Sequence, residues 1–403
     1  MSEQTLPKAT GAPIPVRPGT AHRSVFHRVS KIADPRIATM LVVFVVLAIV
    51  FHVASGEIFF TPRNISLLLR QASIVAVVAA GVSIMMIMGE IDLSIGSAVY
   101  LCGVVAATLQ LNYGIGIVGT IAATMVVGIV MGAWQGLWVV GLAVPSFIVT
   151  LAGLLAFRGL GYYATDAATI APVSNAYSAL SEAFIPITTS YIALAVVFAL
   201  GVFYLSRRHA ASARRAGDPT AAVLVAKLAT LTVAFVFLAW AFGGFRGIPA
   251  AIIWVAACGV VLWVLMTRTI FGRNAYLIGS NREASVLAGI ALGKQLFLGF
   301  LLMGALYGIA GTLITARLGA STPTTGVYLE LDAIAGAVIG GTSLRGGIGT
   351  IPGAIVGAVL LATIDNGMSI LNISSFIQLV VKGLVLLFAL AFDSYMNKRR
   401  GRA

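Results

Sequence analysis

Residues 71–111 read "QASIVAVVAAGVSIMMIMGEIDLSIGSAVYLCGVVAATLQL". Glu90 and Asp92 stand in the middle of this apolar stretch, with Ser94 and Ser97 beside them and Gly89 and Gly96 around them. An Asp at the centre of a membrane helix opposes insertion by about 2.5–3.5 kcal/mol. Such a group persists near a helix end, in a wet cavity or opposite a donor. The stretch therefore predicts two apolar helices with a break at "GEIDLSIGS". Asp92 and Ser94 are helix-capping types. The break either caps the helix that follows or lines a polar path.

The rest of the chain has the same character. Of 403 residues, 59% are hydrophobic and only 10% charged, against about 25% charged in a soluble domain. Mean hydropathy is +1.01. Several runs are long enough to cross about 30 Å of hydrocarbon. They do not alternate as barrel strands would, so helices are predicted. The chain reads as an all-α polytopic membrane protein with about 10–12 transmembrane helices.

The net charge of +13 is a matter of position. Most Lys and Arg fall in four polar stretches: 1–36, "RRHAASARR" at 207–215, the loop 267–294, and the end of the chain. That clustering is the positive-inside pattern. It places all four stretches, and both termini, on the cytoplasmic side. It argues against nucleic acid; lipid contact is a further use open to the basic patches, but orientation is the simpler account. Residues 1–36 are polar and proline-rich, and are predicted to be a disordered cytoplasmic arm. One transmembrane domain, 37–393, follows, and a basic cytoplasmic tail, 394–403, ends the chain.

Predicted spans lie near 37–53, 67–88, 95–111, within 115–143, and near 147–163, 191–205, 222–243, 249–266, 296–315, 353–372 and 376–392. A short apolar run at 331–341 leads into "GGTSLRGGIGTIPG" (340–353). Twelve crossings, or ten crossings with two re-entrant pieces, both satisfy the charge pattern. Glycines at four-residue spacing in "GALYGIAG" (304–311) and "GAIVGAVLLA" (353–362) predict close helix packing. Asp365, Asn366 and Gly367 read as a helix end facing outward. The polar segment 164–190 reads as an external loop with a short helix.

The loop 267–294 carries a candidate contact surface. Residues 283–289 read as a short helix ended by Gly289, with Asn281 as its cap and Glu283 in its first turn. Ala284, Leu287 and Ala288 share one face, which needs lipid or another protein to lie on. No Ser-His-Asp or Cys-His set is apparent, and the four histidines form no ligand cluster, so no metal site is predicted. Cys102 and Cys258 read as small buried hydrophobes. No Gly-x-x-x-x-Gly-Lys-Ser/Thr occurs, so the chain carries no P-loop. Without it, the glycines at 340–353 are a weak phosphate cradle.

Four stretches together resemble the permease subunits of bacterial ABC importers of the ribose, arabinose and xylose group. They are "EIDLSIGS" (90–97), "VPSFIVTLAGLLAFRG" (144–159), "FGRNAYLIGSNREASVLAGI" (271–290) and "LDAIAGAVIGGTSLRGGIGTIPGAIVGAVLLATIDNGMS" (331–369). The similarity runs from about the first span to the last. Glu90, "VPSFIVTLAGLLAFRG" and the helical pair around "RRHAASARR" resemble the xylose-type branch. The resemblance implies ABC importer permease architecture in the bacterial inner membrane. Its partners would be an ABC ATPase subunit, a periplasmic sugar-binding protein and a second permease copy. The substrate would be a monosaccharide. ATP and magnesium would be used by the partner ATPase, and no cofactor would be bound by this chain.

Glu283, Ala284 and Gly289 match the family's Glu-Ala-Ala coupling motif, with Ser285 in place of its second Ala. Arg282, Glu283, Ala284, Ser285 and Gly289 are thus the candidate ATPase-coupling residues. Asp92, Ser94 and Asn366 are candidates for the translocation path, and no catalytic residue is expected. Two other classes stay open. A proton-driven carrier would use Glu90 and Asp92 as a relay, although no inverted repeat is visible in the sequence. A structural membrane subunit would bind neither ATPase nor binding protein.

Overall fold

The computed structural model describes residues 35–216 and 221–400. The arm expected over 1–36 lies outside the described residues up to position 34.

Fifteen helices form among the described residues. The chain enters through α1 (Pro35–Ala54), α2 (Pro62–Ile87), α3 (Ile95–Leu111), α4 (Ile117–Gly141) and α5 (Ser146–Thr165). The short α6 (Asn175–Glu182) and β1 (Phe184–Ile185) follow. Next come α7 (Ile187–Ala216), α8 (Ala221–Gly243) and β2 (Ile248–Pro249), which pairs antiparallel with β1. The chain continues through α9 (Ala250–Arg268), α10 (Ile270–Ser280), α11 (Arg282–Leu287) and α12 (Leu292–Leu318). It ends in α13 (Leu329–Ile339), α14 (Ile351–Ile370) and α15 (Ser375–Arg400).

Eight of these helices are long and apolar enough to cross a membrane, and three shorter apolar helices accompany them. Each predicted run has its helix. The largest boundary difference is at the sixth run, which was expected to stop near 205. The helix α7 instead continues through the basic patch to Ala216. Ala and Arg are good helix formers, and Arg207 lies over the Phe203 ring one turn back at 5.2 Å. In the same way α15 extends to Arg400, so most of the expected tail is helix.

Burial sorts the helices into a core and a rim. Helices α2 and α12 are 72% and 61% buried over their apolar windows, whereas α7 and α8 are 6% and 0% buried. The pair α7–α8 packs mainly on itself, with Phe198 and Phe235 centred 4.7 Å apart. Glycine sets the spacing inside the core. A side chain on Gly304 would collide with the Gly128 main chain of α4, and one on Gly311 with Cys102 of α3. Between α13 and α14, Gly336 meets Gly357 and Gly340 meets Gly353 in the same backbone-to-backbone fashion. The predicted close packing is thus present in both glycine-rich stretches.

Helix α2 runs antiparallel to α12: Gly81 lies against Met303 and Leu306, and Met88 against Gly299. Each of these long helices is followed by a break and a shorter helix. For α2 the break is 88–94 and the helix α3; for α12 the break is 319–328 and the helix α13. The two breaks enter from opposite ends of the bundle. They meet where Gly326 packs on Gly96. This opposed arrangement is not visible as a sequence repeat. It removes one argument against a carrier-like architecture.

Candidate functional site

The first break is held by main-chain and side-chain bonds. Gly89 adopts φ +82°, a left-handed conformation that glycine takes without strain. The Ile91 amide donates to Ser146 Oγ at 3.4 Å, and Thr150 Oγ1 donates to the Ile91 carbonyl at 3.2 Å. Helix α5 thereby supplies partners that the interrupted helix cannot.

Asp92 answers its energetic problem with donors. Its Oδ1 accepts from the Ser94 amide at 2.9 Å and from Ser94 Oγ at 2.7 Å. Its Oδ2 accepts from the Tyr307 hydroxyl of α12. Gln135 of α4 donates through Nε2 to Ser94 Oγ, and its Oε1 lies 3.3 Å from the Tyr307 hydroxyl. All four side chains are at most 1% exposed. Tyr307 sits near the middle of α12, so this network lies at mid-depth of the bundle. Ser94 occupies the cap position of α3 but makes no side-chain capping bond, because its hydroxyl is committed to Asp92. The capping reading of the break is therefore replaced by a three-helix polar clasp.

Glu90 is buried, and its partner comes from the loop 267–294. Arg282 Nη2 lies 3.0 Å from Glu90 Oε1. Arg282 opens α11, the short helix expected at 283–289. Asn281 caps it by accepting from the Ala284 amide at 2.9 Å, and Gly289 ends it at φ +78°. Arg282, Glu283, Ala284 and Gly289 are exposed. Leu287 is 89% exposed. Ser285 points inward and donates to the Asn281 carbonyl at 2.8 Å. It stands on the face opposite to the open one.

Helix α10, where the sequence predicts loop, seats α11 on the bundle. Gly279 lies against the Ile87 carbonyl and the Gly347 amide, and that amide donates to Ile87 O at 2.9 Å. Tyr276 donates to the Gly349 carbonyl at 2.9 Å. Gly341, Gly346 and Gly347 all take positive φ. The glycines of 340–353 thus serve tight turns and close approach to α10 and α14.

Asn366 lies elsewhere. It exchanges two amide bonds with Asn64, at 2.9 and 3.0 Å. Asn64 opens α2, whereas Asp92 lies in the break that follows the far end of that helix. Asp365 was read as facing outward, yet it pairs with Lys382 at 2.8 Å, and Lys382 also holds Asp332 at 3.0 Å. The ring of Phe51 covers Gly367. These polar residues fasten α13, α14 and α15 together rather than ending a helix in water.

The second break carries charges that the sequence alone does not single out. Arg158 of α5 donates to the Thr325 carbonyl at 2.7 Å and stacks 4.8 Å over the Tyr100 ring. Tyr162 donates to the Pro323 carbonyl at 3.3 Å. Glu330, in the first turn of α13, faces both Arg158 and the Gly96 amide at the start of α3. A lone arginine late in "TLAGLLAFRG" was the available signal. Gln135 and Tyr307 are single polar residues in apolar runs, and only the fold pairs them with Asp92.

Among the described residues no group of three or more His, Cys, Asp or Glu could hold a metal ion. The arrangement can bind and bridge polar groups across the helices.

Comparison with known proteins agrees with a transport role. The family model described as "Branched-chain amino acid transport system / permease component" matches residues 64–390. The chain is 37% identical to the xylose transport system permease protein of Escherichia coli over 366 residues, 90% of this chain and 93% of that protein. It is also 37% identical to the protein of the same name from Haemophilus influenzae, covering 92% and 99%. Identity to the ribose import permease protein of Haemophilus influenzae is 30%, covering 89% and 94%. No solved structure matches the chain. With its apolar helices and this match over most of its length, the chain belongs to the permease-component family of such transport systems and is a multi-pass membrane protein.

Proposed function

We propose that the chain is the membrane-spanning permease of an ABC importer that carries a pentose, D-xylose, across the bacterial inner membrane. Two copies form the pore. A separate ATPase subunit, using ATP and magnesium, drives it from the cytoplasm, and a periplasmic sugar-binding protein delivers the substrate. The xylose assignment is supported by the 37% identity to xylose permeases over nearly the whole chain. Ribose is the runner-up substrate, given the more distant ribose relatives.

The observation that carries the reading is α11. A six-residue helix holds Leu287 and Val286 out at 89% and 54% exposure. Apolar groups so displayed on a cap at one end of the bundle call for a protein partner. The ATPase is that partner, and Arg282, Glu283, Ala284 and Gly289 rim the contact. The positive-inside charges support a cytoplasmic position for this end and for both termini. Ser285 contributes from beneath by holding the helix to its cap.

Motion at α11 has a defined route inward. Arg282 grips Glu90, and beyond it Asp92 ties the break to α12 through Tyr307 while Ser94 ties it to α4 through Gln135. A displacement of α11 therefore pulls on the mid-depth clasp. The test is reconstitution with the ATPase and binding protein encoded alongside this chain. ATP-dependent uptake from a panel of aldopentoses, with xylose preferred, is the expected result. Uptake in the absence of the ATPase, collapsing with an uncoupler at constant ATP, would instead establish proton-driven transport.

A further inference from the structure

We infer that sugar crosses over the exposed face formed by the second break and α5, contacting Arg158, Tyr162, Tyr328 and Glu330, and not through the Asp92 clasp. This rests on the reading of the chain as a sugar permease. Asp92, Ser94, Gln135 and Tyr307 are at most 1% exposed and bond to one another, so a sugar finds neither space nor free donors among them.

The second break is different. It is non-helical main chain, and its Gly326 touches Gly96 at the start of α3. The neighbouring Ser94 reaches Tyr307 in the middle of α12 at 3.4 Å. The segment therefore descends to mid-depth, yet Val327 and Tyr328 are 45% and 48% exposed. Irregular main chain at bilayer depth is tolerated where it is buried in protein or lines water. Ser321 and Thr325 of this stretch are buried, but its tip, Val327 and Tyr328, is not covered by the chain, and on this inference the tip lines water. Arg158 stands at the same level, about 18 Å along α5 from Ser146. A guanidinium there faces protein or water rather than lipid.

The chemistry fits a neutral polyol. Helices α3 and α13 both present their N-termini at this junction, which ordinarily attracts an anion. Glu330 already supplies that negative charge, from the first turn of α13 against the Gly96 amide. Arg158 balances Glu330, so the site asks for no net charge from its ligand. The Arg158 guanidinium and the Tyr328 hydroxyl donate, the carboxylate accepts, and Tyr162 and Tyr328 offer apolar ring faces to the C–H side of a sugar. A second copy of the chain facing this surface would close the path around a pentose.

The test uses the assembled complex with Cys258 replaced by alanine and single cysteines placed by Val327→Cys, Tyr328→Cys and, on the rim helix α8, Val233→Cys. The probe is a membrane-impermeant sulfonated thiosulfonate. Positions 327 and 328 should react at least about tenfold faster than 233, which is 69% exposed but faces lipid. In parallel, Glu330→Gln and Arg158→Lys should raise the KM for xylose and change the xylose-to-ribose preference, with the complex still assembled. Equal labelling at 328 and 233 overturns the water-lined face, as would a dry contact between copies. Unchanged KM and preference in both charge variants overturn the sugar contacts. If the wild-type complex moves no sugar while 328 labels quickly, the permease reading fails and the sugar role falls with it, but the water-lined face stands.

Discussion

The Arg282–Glu90 pair gives the sharpest quantitative handle on coupling. The charges are 3.0 Å apart, with Glu90 buried and Arg282 half-exposed. At an effective dielectric of about 20, Coulomb's law gives roughly 5 kcal/mol for that separation. Water around Arg282 screens much of this, and exposed pairs contribute about 0–1 kcal/mol whereas breaking buried ones costs 3–5. A pair with one member on each side of that boundary should couple by about 1–2 kcal/mol, or roughly 5–30-fold in an equilibrium. The perturbation is a double-mutant cycle of Glu90→Gln, Arg282→Gln and both together, with Arg282→Lys as the charge-preserving control. The assay is ATP hydrolysis by the assembled complex with and without sugar-loaded binding protein, read as the stimulation ratio. Each single variant should lower the ratio by about that factor. The double should fall no further than either single, and Arg282→Lys should recover part of the loss. Additive losses would refute a shared strut. Loss of ATPase from the complex on Arg282→Gln, with Glu90→Gln silent, would reassign Arg282 to the ATPase contact itself.

Leu287→Asp replaces the most exposed apolar group of α11 with a charge, and co-purification of the ATPase should fall at least tenfold, about 1.4 kcal/mol or more; full retention in a pull-down would remove this face from docking. Tyr307→Phe deletes one donor to buried Asp92 and should destabilise the detergent-solubilised chain by about 1–3 kcal/mol, measured as a lower Tm. Asp92→Ala, which removes the shared acceptor of Ser94 and Tyr307, should lower it further. Gly357→Leu forces a side chain into the Gly336 main chain. Overpacking of that kind costs about 1–3 kcal/mol where neighbours can yield, and backbone cannot yield easily, so folded yield by size-exclusion chromatography should drop sharply. Val233→Leu on α8 should leave it unchanged.

Much of the architecture was legible because apolar run length and glycine spacing are local properties. The helices α3, α4, α5 and α9 follow their predicted runs within a few residues, and Asn281 and Gly289 bracket α11 as their chemistry dictates. The α10 helix was missed because "FGRNAYLIGS" mixes apolar and polar residues on a short element whose inner face is defined only by contact with Ile87 and Gly347. The run "RRHAASARR" reads from its charge as a polar stretch beyond the sixth span, although its propensity is helical. The polar sites divide in the same manner. Asp92 and Ser94 announce themselves as neighbours, whereas Gln135 and Tyr307 join them across 41 and 213 residues of chain, as counted from Ser94. Asn366 reads from sequence as a path residue, and only the fold shows its amide partner, Asn64, 302 positions away. Glu330 is conspicuous as an acid, but its place between two helix N-termini depends on the meeting of the two breaks.

The central claim is that this bundle moves sugar only when a separate ATPase acts on α11. The most direct measurement is xylose uptake into proteoliposomes containing the chain, the ATPase and the binding protein, with each component omitted in turn. Uptake that requires ATP and all three, and that vanishes on Leu287→Asp, is the predicted result. Accumulation by the chain alone, or uptake indifferent to ATP, would contradict it.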